Sequence, residues 1–169
     1  MEDMIRGIAM MAPVATILYL CWDTVQIRRK RRKRLSFWRW VLSVYLLSLL
    51  YGTLLNRIDR DYFYFLLHGE RGQLEWVMHF PPTDMNSAIH DLYNVALFFP
   101  WGLLLPICQP KMRNGLLVVA SGIAAVLCIE TMQYLGSMAF SLNDILTNGA
   151  GMIAGYVMYA IGARLCRRK

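Results

Sequence analysis

Polar side chains with the chemistry of a binding site lie close together in the second half of an otherwise apolar sequence. Glu130 and Gln133 are three residues apart, Asp144 and Asn148 are four apart, and Asn94 lies upstream in similarly apolar surroundings. Spacings of three or four residues put each pair on one face of an α-helix. Carboxylates can act as general acids or bases or hold a cation, and carboxamides both donate and accept hydrogen bonds. We therefore treat this set as candidate ligand-binding residues, with Glu130 and Asp144 as candidate catalytic groups.

The same residues also admit a purely structural interpretation. The segment SLND has the S-x-x-D pattern of a capping box, in which Ser141 would cap a helix and Asp144 would close the box. Glu130 would then only hydrogen-bond to neighbouring helices. The sequence leaves both interpretations open.

The elements that position these residues are predicted from hydropathy. Of 169 residues, 57% are hydrophobic and only 17% are charged. Apolar stretches of about 20 residues, enough to cross a bilayer as a helix, lie near 6–26, 37–56, 92–108, 115–135 and 144–163. We predict an all-α membrane protein: a single integral-membrane domain over residues 1–169, built as a bundle of about five transmembrane helices.

Basic residues predict the orientation of this bundle. Most of the 18 lysines and arginines lie in the run from Arg28 to Arg34, just before the span that begins near 115, or in the C-terminal tail. Because such residues favour the cytoplasmic side, we predict the N-terminus outside and the C-terminus in the cytoplasm. The net charge of +7 then reflects topology and contact with membrane lipids, not nucleic-acid binding, since the basic run has no interleaved aromatic residues.

This topology puts the candidate polar residues at one depth. The third and fifth spans run inward and the fourth runs outward, so Asn94, Glu130 and Asp144 all fall near the outer ends of their helices. An ionisable group facing acyl chains costs about 2.5–3.5 kcal/mol, so these faces should turn toward one another or toward water. The prediction is an outward-facing polar cleft.

Small residues and prolines predict how the helices pack. Gly151 and Gly155 form a G-x-x-x-G pattern on the fifth helix, which permits close approach of a neighbouring backbone. On the third helix, Pro100 and Pro106 each remove a backbone donor and flank Gly102. We expect a kink or a partly unwound segment there.

A long outer connection, from Arg57 to Asp91, joins the second and third spans. Its aromatic-rich segment YFYFLLHGERGQLEWVMHFPP is typical of a chain that lies at the membrane interface. Around Gly69 and Gly72 the sequence fits either a turn between two short strands or two amphipathic pieces.

The histidines of this connection raise the question of a metal. His79 and His90, with Asp84 and Asp91, have the side chains that zinc prefers, but their spacing fits no compact ligand motif. We expect no metal and no cofactor.

Three short motifs follow one another in a characteristic order: NVALFFPWGLLLP from Asn94, ETMQ from Glu130, and FSLNDILTNGAGMIAGY from Phe140. Together they resemble the VanZ-like family of bacterial membrane proteins, which is named for a teicoplanin-resistance protein. The resemblance covers about residues 90–160 and implies signature positions at Asn94, Pro100, Gly102, Glu130, Gln133, Asp144, Asn148 and Gly155. Met138 stands where the family usually has arginine, and Ser141 and Asn143 stand where acidic residues are common.

The resemblance implies a role at the bacterial plasma membrane in lowering susceptibility to teicoplanin-type glycopeptides, without supplying a mechanism. We expect binding and not catalysis, with an amphiphile in the cleft: a lipid-linked cell-wall precursor or the acyl tail of a lipoglycopeptide. Two alternatives stay open. One is an intramembrane hydrolase or transferase acting on a lipid-linked substrate, and the other is a subunit of a membrane complex. The sequence does not indicate an oligomeric state.

Overall fold

The computed structural model describes residues 2–28, 37–54, 60–76 and 82–167. Most of these residues are helical, which confirms the predicted all-α class. The elements in chain order are α1 (Glu2–Arg28), α2 (Phe37–Thr53), α3 (Arg60–His68), β1 (Leu74–Glu75), α4 (Met85–Cys108), a 3-10 helix (Pro110–Arg113), α5 (Gly115–Leu135), β2 (Phe140–Ser141) and α6 (Leu142–Arg167). They divide into two compact units, Met1–Asn56 and Arg57–Lys169.

The first unit is an antiparallel pair formed by α1 and α2. Trp40 on α2 donates its indole hydrogen to the Thr16 hydroxyl at 2.9 Å, and the Tyr51 hydroxyl approaches the Met10 sulfur at 3.2 Å. The two helices lie at the positions of the first two predicted spans, 6–26 and 37–56. The run from Arg28 to Arg34 lies almost wholly outside the described residues.

The second unit contains three helices that are long and apolar enough to cross a membrane: Met85–Cys108, Gly115–Leu135 and Leu142–Cys166. These helices contain the predicted spans 92–108, 115–135 and 144–163. Helix α4 remains helical through Pro100 and Pro106, so the third span is not unwound at its prolines.

Glycine contacts define how α4, α5 and α6 pack. A β-carbon added at Gly151 would overlap the Val95 carbonyl, and one added at Gly155 would overlap the Phe99 carbonyl. Residue numbers therefore increase in the same direction along both helices, so α4 and α6 are parallel. Helix α5 runs the other way, because Gly115 lies near the Tyr156 ring whereas Glu130 bonds to Ser141.

The described part of the outer connection folds onto the C-terminal end of α5. Tyr62 on α3 is buried, and its hydroxyl donates to the Met132 carbonyl at 3.1 Å. After a turn in which Gly69 adopts a φ of 75°, β1 pairs in parallel with β2. The two alternatives for this segment thus resolve into one amphipathic helix and one strand, and the strand pairs with the α5–α6 loop.

Candidate ligand-binding site

Polar side chains of three helices meet at one end of the second unit. Because α4 and α6 are parallel and α5 is antiparallel to both, the first turns of α4 and α6 lie beside the last turns of α5. The residues at this end are His90, Asp91 and Asn94 from α4, Glu130 from α5, Ser141 from β2, and Asn143, Asp144 and Asn148 from the start of α6. We call this set the polar cluster.

The start of α6 links Glu130 to the polar cluster. The Ser141 hydroxyl accepts a hydrogen bond from the Asp144 amide at 3.3 Å, which is the helix cap that the S-x-x-D pattern predicts. The reciprocal bond does not come from Asp144. The Ser141 amide instead donates to Glu130 Oε2 at 2.9 Å, and Glu130 is only 3% exposed. A carboxylate from α5 therefore closes the capping box of α6 and lies at the favourable end of its dipole.

The Asp144 side chain, which hydrogen-bonds to the Ser141 side chain, also contacts α4. Its Oδ1 lies 3.7 Å from Nδ1 of His90, and Asn94 is a further neighbour of the same carboxylate. Asp144 is 21% exposed and His90 is 58% exposed. The polar cluster is therefore accessible from the surface through these two residues.

A second polar contact joins α4 to α6 through the residues next to His90 and Asp144 in the chain. The Asn143 carboxamide donates to Asp91 Oδ1 at 2.6 Å. With the His90–Asp144 contact, it fixes the first turns of the two parallel helices against each other. Asn143 thus binds an acid of α4 that a carboxylate at position 143 would repel.

One buried carboxamide atom of the polar cluster, Oδ1 of Asn148, has no hydrogen-bond partner among the described residues, whereas the Asn94 side chain hydrogen-bonds to the Asp144 carboxylate. Asn148 is 5% exposed. His90 faces Asp144 and Val95 faces Gly151, so the parallel register sets Asn94 across from Asn148. A buried polar group without a partner costs about 1–3 kcal/mol, so such atoms call for an explanation.

The remaining candidate residues surround the polar cluster. Gln133 is half-buried one turn beyond Glu130, and its carbonyl accepts from the Met138 amide at 3.0 Å at the end of α5. A β-carbon added at Gly102 would overlap the Met152 carbonyl, so Gly102, Gly151 and Gly155 all permit the close contact of α4 with α6. Pro106 is fully buried and Pro100 is half-buried within α4.

The three described residues among the four considered for zinc make other contacts. Asp84 caps α4 by accepting from the Ser87 amide at 2.7 Å, Asp91 binds Asn143, and His90 approaches Asp144. His79 lies outside the described residues. Within the part of the chain that the structure describes, no group of three or more His, Cys, Asp or Glu side chains is arranged to hold a metal.

Sequence reasoning missed His90, Asp91 and Asn143 as members of the polar cluster. Their pairing depends on the register between α4 and α6, which the sequence does not display. One signal was present: Asp91 lies three residues before the candidate Asn94, and Asn143 lies directly before the candidate Asp144.

A model of one protein family matches most of the chain. The family is described as VanZ/LLP1, and the match covers residues 42–163, which include every member of the polar cluster. No curated protein and no solved structure matches the chain. The family match extends well beyond the motifs of the C-terminal half, into α2 and the outer connection. The chain is thus a member of the VanZ-like family.

Proposed function

We propose that this chain is a multi-pass protein of the bacterial plasma membrane that binds an amphiphile at the polar cluster. The amphiphile is a lipid-linked cell-wall precursor or the acyl tail of a lipoglycopeptide. Binding would lower susceptibility to teicoplanin-type glycopeptides by changing the access of the antibiotic to its target, without a chemical reaction.

The observation that carries this proposal is the pairing of buried polar groups with exposed apolar ones. Glu130 and Asn148 are buried within the polar cluster, while Leu92 is 66% exposed and Leu146 is 42% exposed on the same turns of α4 and α6. A polar head could bind among the carboxylates and carboxamides while its acyl chains lie along the leucines.

The positions of the basic residues in the second unit support access from outside. Lys111 and Arg113 lie between α4 and α5, and Arg164 lies near the end of α6, so the basic residues occupy the end opposite the polar cluster. The positive-inside rule favours the cytoplasm for that basic end. With α1 and α2 as two further crossings, the chain has five spans, an outer N-terminus and a cytoplasmic C-terminus.

Conservative variants of the two buried or half-buried acids test the proposal. Glu130→Gln and Asp144→Asn keep the shape of each side chain but remove its negative charge. At matched levels in the membrane, we expect each variant to lose most of the teicoplanin tolerance that the wild-type chain confers. We also expect each purified variant to retain less lipid than the purified wild-type chain.

The matched control is Glu70→Gln, because Glu70 is an exposed acid of the outer connection outside the polar cluster. It should keep both properties. Full tolerance and full lipid retention in both Glu130→Gln and Asp144→Asn would remove these residues from the proposed site.

One observation favours an enzyme as the second candidate. The partly exposed His90 beside Asp144 resembles a base with its orienting acid, as an intramembrane hydrolase or transferase would need. Turnover of a polyprenyl-linked substrate by the purified chain, lost in His90→Gln, would select this alternative over binding.

A further inference from the structure

Helix α3 carries large apolar side chains on its surface. Phe63, Leu66 and Leu67 are all exposed, and Leu67 is 81% exposed. Their spacings of three and four residues put them on one side of the helix, and we call these three residues the apolar face of α3. Because burial of such side chains is favourable, we expect the apolar face to have a partner.

The rest of α3 and the turn after it are more polar, so the helix is amphipathic. His68 is exposed on the side away from the apolar face and stacks on the Tyr64 ring, with ring centroids 4.0 Å apart. The exposed, charged residues Glu70 and Arg71 follow the end of the helix. An apolar face with aromatic rings and charges beside it is typical of a helix that lies at the interface of a bilayer.

The attachment of α3 to α5 sets the level of α3 along the second unit. Tyr62 is buried, its hydroxyl donates to the Met132 carbonyl at 3.1 Å, and its ring lies against Gly136. Met132 begins the last turn of α5 and Gly136 follows that turn, and α5 is long and apolar enough to cross a membrane. Helix α3 therefore lies at the level where this span would leave the hydrocarbon core.

The surface of α5 beside α3 is also apolar. Leu127 and Met132 are exposed on the span, and the Met132 sulfur lies 4.0 Å from the Tyr62 hydroxyl. Phe63, in the middle of the apolar face, follows Tyr62 by one residue, which is about 100° around the helix. Helix α3 can therefore contact α5 sideways while its apolar face meets the acyl chains that surround α5.

We propose that α3 lies on the surface of the lipid bilayer and inserts its apolar face among the acyl chains beside α5. The occupant is lipid because the apolar face lies at the end of a span and continues the exposed apolar surface of that span. Since β1 follows α3 and pairs with β2, this contact also supports the strand that carries Ser141. The inference rests on the proposed placement in a membrane, but on no ligand of the polar cluster.

Spin labels on opposite sides of α3 give the test. In a full-length chain whose four cysteines are replaced by alanine, Leu67→Cys carries a label on the apolar face, and His68→Cys carries the matched control one residue away. The purified chain is placed in nanodiscs of phosphatidylcholine and phosphatidylglycerol. Electron paramagnetic resonance then measures how often each label collides with oxygen, which concentrates in lipid, and with a nickel chelate, which stays in water.

We expect the label at Leu67→Cys to collide mainly with oxygen and the label at His68→Cys to collide mainly with the chelate. The two labels should differ in depth by about 10 Å, the width of a helix with its side chains. Phe63→Cys repeats the measurement one turn earlier on the apolar face and should agree with Leu67→Cys. All three positions are exposed, and the melting temperature of each variant shows whether it folds as the unlabelled chain does.

A label at Leu127→Cys, exposed on α5, separates this inference from the membrane placement on which it rests. Access of the chelate to Leu127→Cys would overturn both. With Leu127→Cys shielded from the chelate, equal depths at Leu67→Cys and His68→Cys would overturn the docking of α3 alone. An immobile label at Leu67→Cys that neither reagent reaches would also overturn it, because a protein surface, such as a second copy of the chain, would then cover the apolar face.

Discussion

Glu130 illustrates how a single carboxylate is accommodated within an apolar helix bundle. It is buried, but its oxygen accepts the Ser141 amide at 2.9 Å and lies at the start of α6. A hydrogen bond to a charged acceptor contributes about 1.5–3 kcal/mol, and a helix N-terminus adds further stabilisation of the negative charge. Glu130 therefore has a structural part in positioning α6 besides any part in binding.

Asp84 permits a pH-dependent prediction at the residue scale. It is exposed just before α4, and hydrogen bonds from the Ser87 amide and then from the Ser87 hydroxyl hold its pKa below the ordinary value of 3.8. A lowered carboxyl pKa contributes stability that is fully present above the ordinary value and is lost as the pH falls through the folded-state pKa.

We therefore expect the melting temperature of the wild-type chain to decrease, relative to that of Asp84→Asn, as the pH is lowered from about 5 to about 2. Asparagine also caps helices well but does not titrate, so it isolates the carboxylate. A difference between the two proteins that stays constant over this range would contradict the assigned cap.

At the scale of elements, the contact between α4 and α6 depends on glycines. Gly155→Ala would place a β-carbon against the backbone carbonyl of Phe99, which cannot rotate away as a side chain could. We expect this variant to lose about 1–3 kcal/mol in the free energy of unfolding, as other overpacked cores do. Thermal denaturation in detergent measures the change.

Gly162 provides the control on the same helix. A β-carbon added there meets nothing within 4 Å, so Gly162→Ala should be neutral or slightly stabilising, since glycine weakens helices by about 0.5–1 kcal/mol. Equal melting temperatures for Gly155→Ala and the wild-type chain would show that α4 and α6 are not in close contact.

The sequence predicted the helices of the second unit more accurately where hydropathy marks both ends. The predicted span 115–135 coincides with α5, Gly115–Leu135. Helix α4 was predicted from residue 92 but begins at Met85, because its first turns are polar and the Asp84 cap, not hydropathy, sets its start. Helix type was thus predictable from composition, whereas this boundary depended on one capping residue.

The candidate site was predictable only where its contacts are local in the chain. The Ser141 cap follows from a four-residue pattern. The bond from Ser141 to Glu130 spans 11 residues and the bond from Asn143 to Asp91 spans 52, so both depend on how separate helices pack. No spacing rule within one helix can predict such pairs.

At the scale of the whole molecule, the account rests on an asymmetry between the two ends of the second unit. The polar cluster with its acids lies at one end, and Lys111, Arg113 and Arg164 lie at the other. This separation is the pattern expected when one end faces the cytoplasm and the other faces outward. An amphiphile in the outer leaflet could then reach the polar cluster without crossing the membrane.

Cysteine accessibility in intact cells tests this outward orientation most directly. In a chain whose four cysteines are replaced, His90→Cys and Lys111→Cys place single thiols at exposed positions on the two ends of the second unit. A membrane-impermeant maleimide should label His90→Cys in intact cells and Lys111→Cys only after permeabilisation. Labelling of Lys111→Cys from outside, with His90→Cys protected until the cells are opened, would contradict the account.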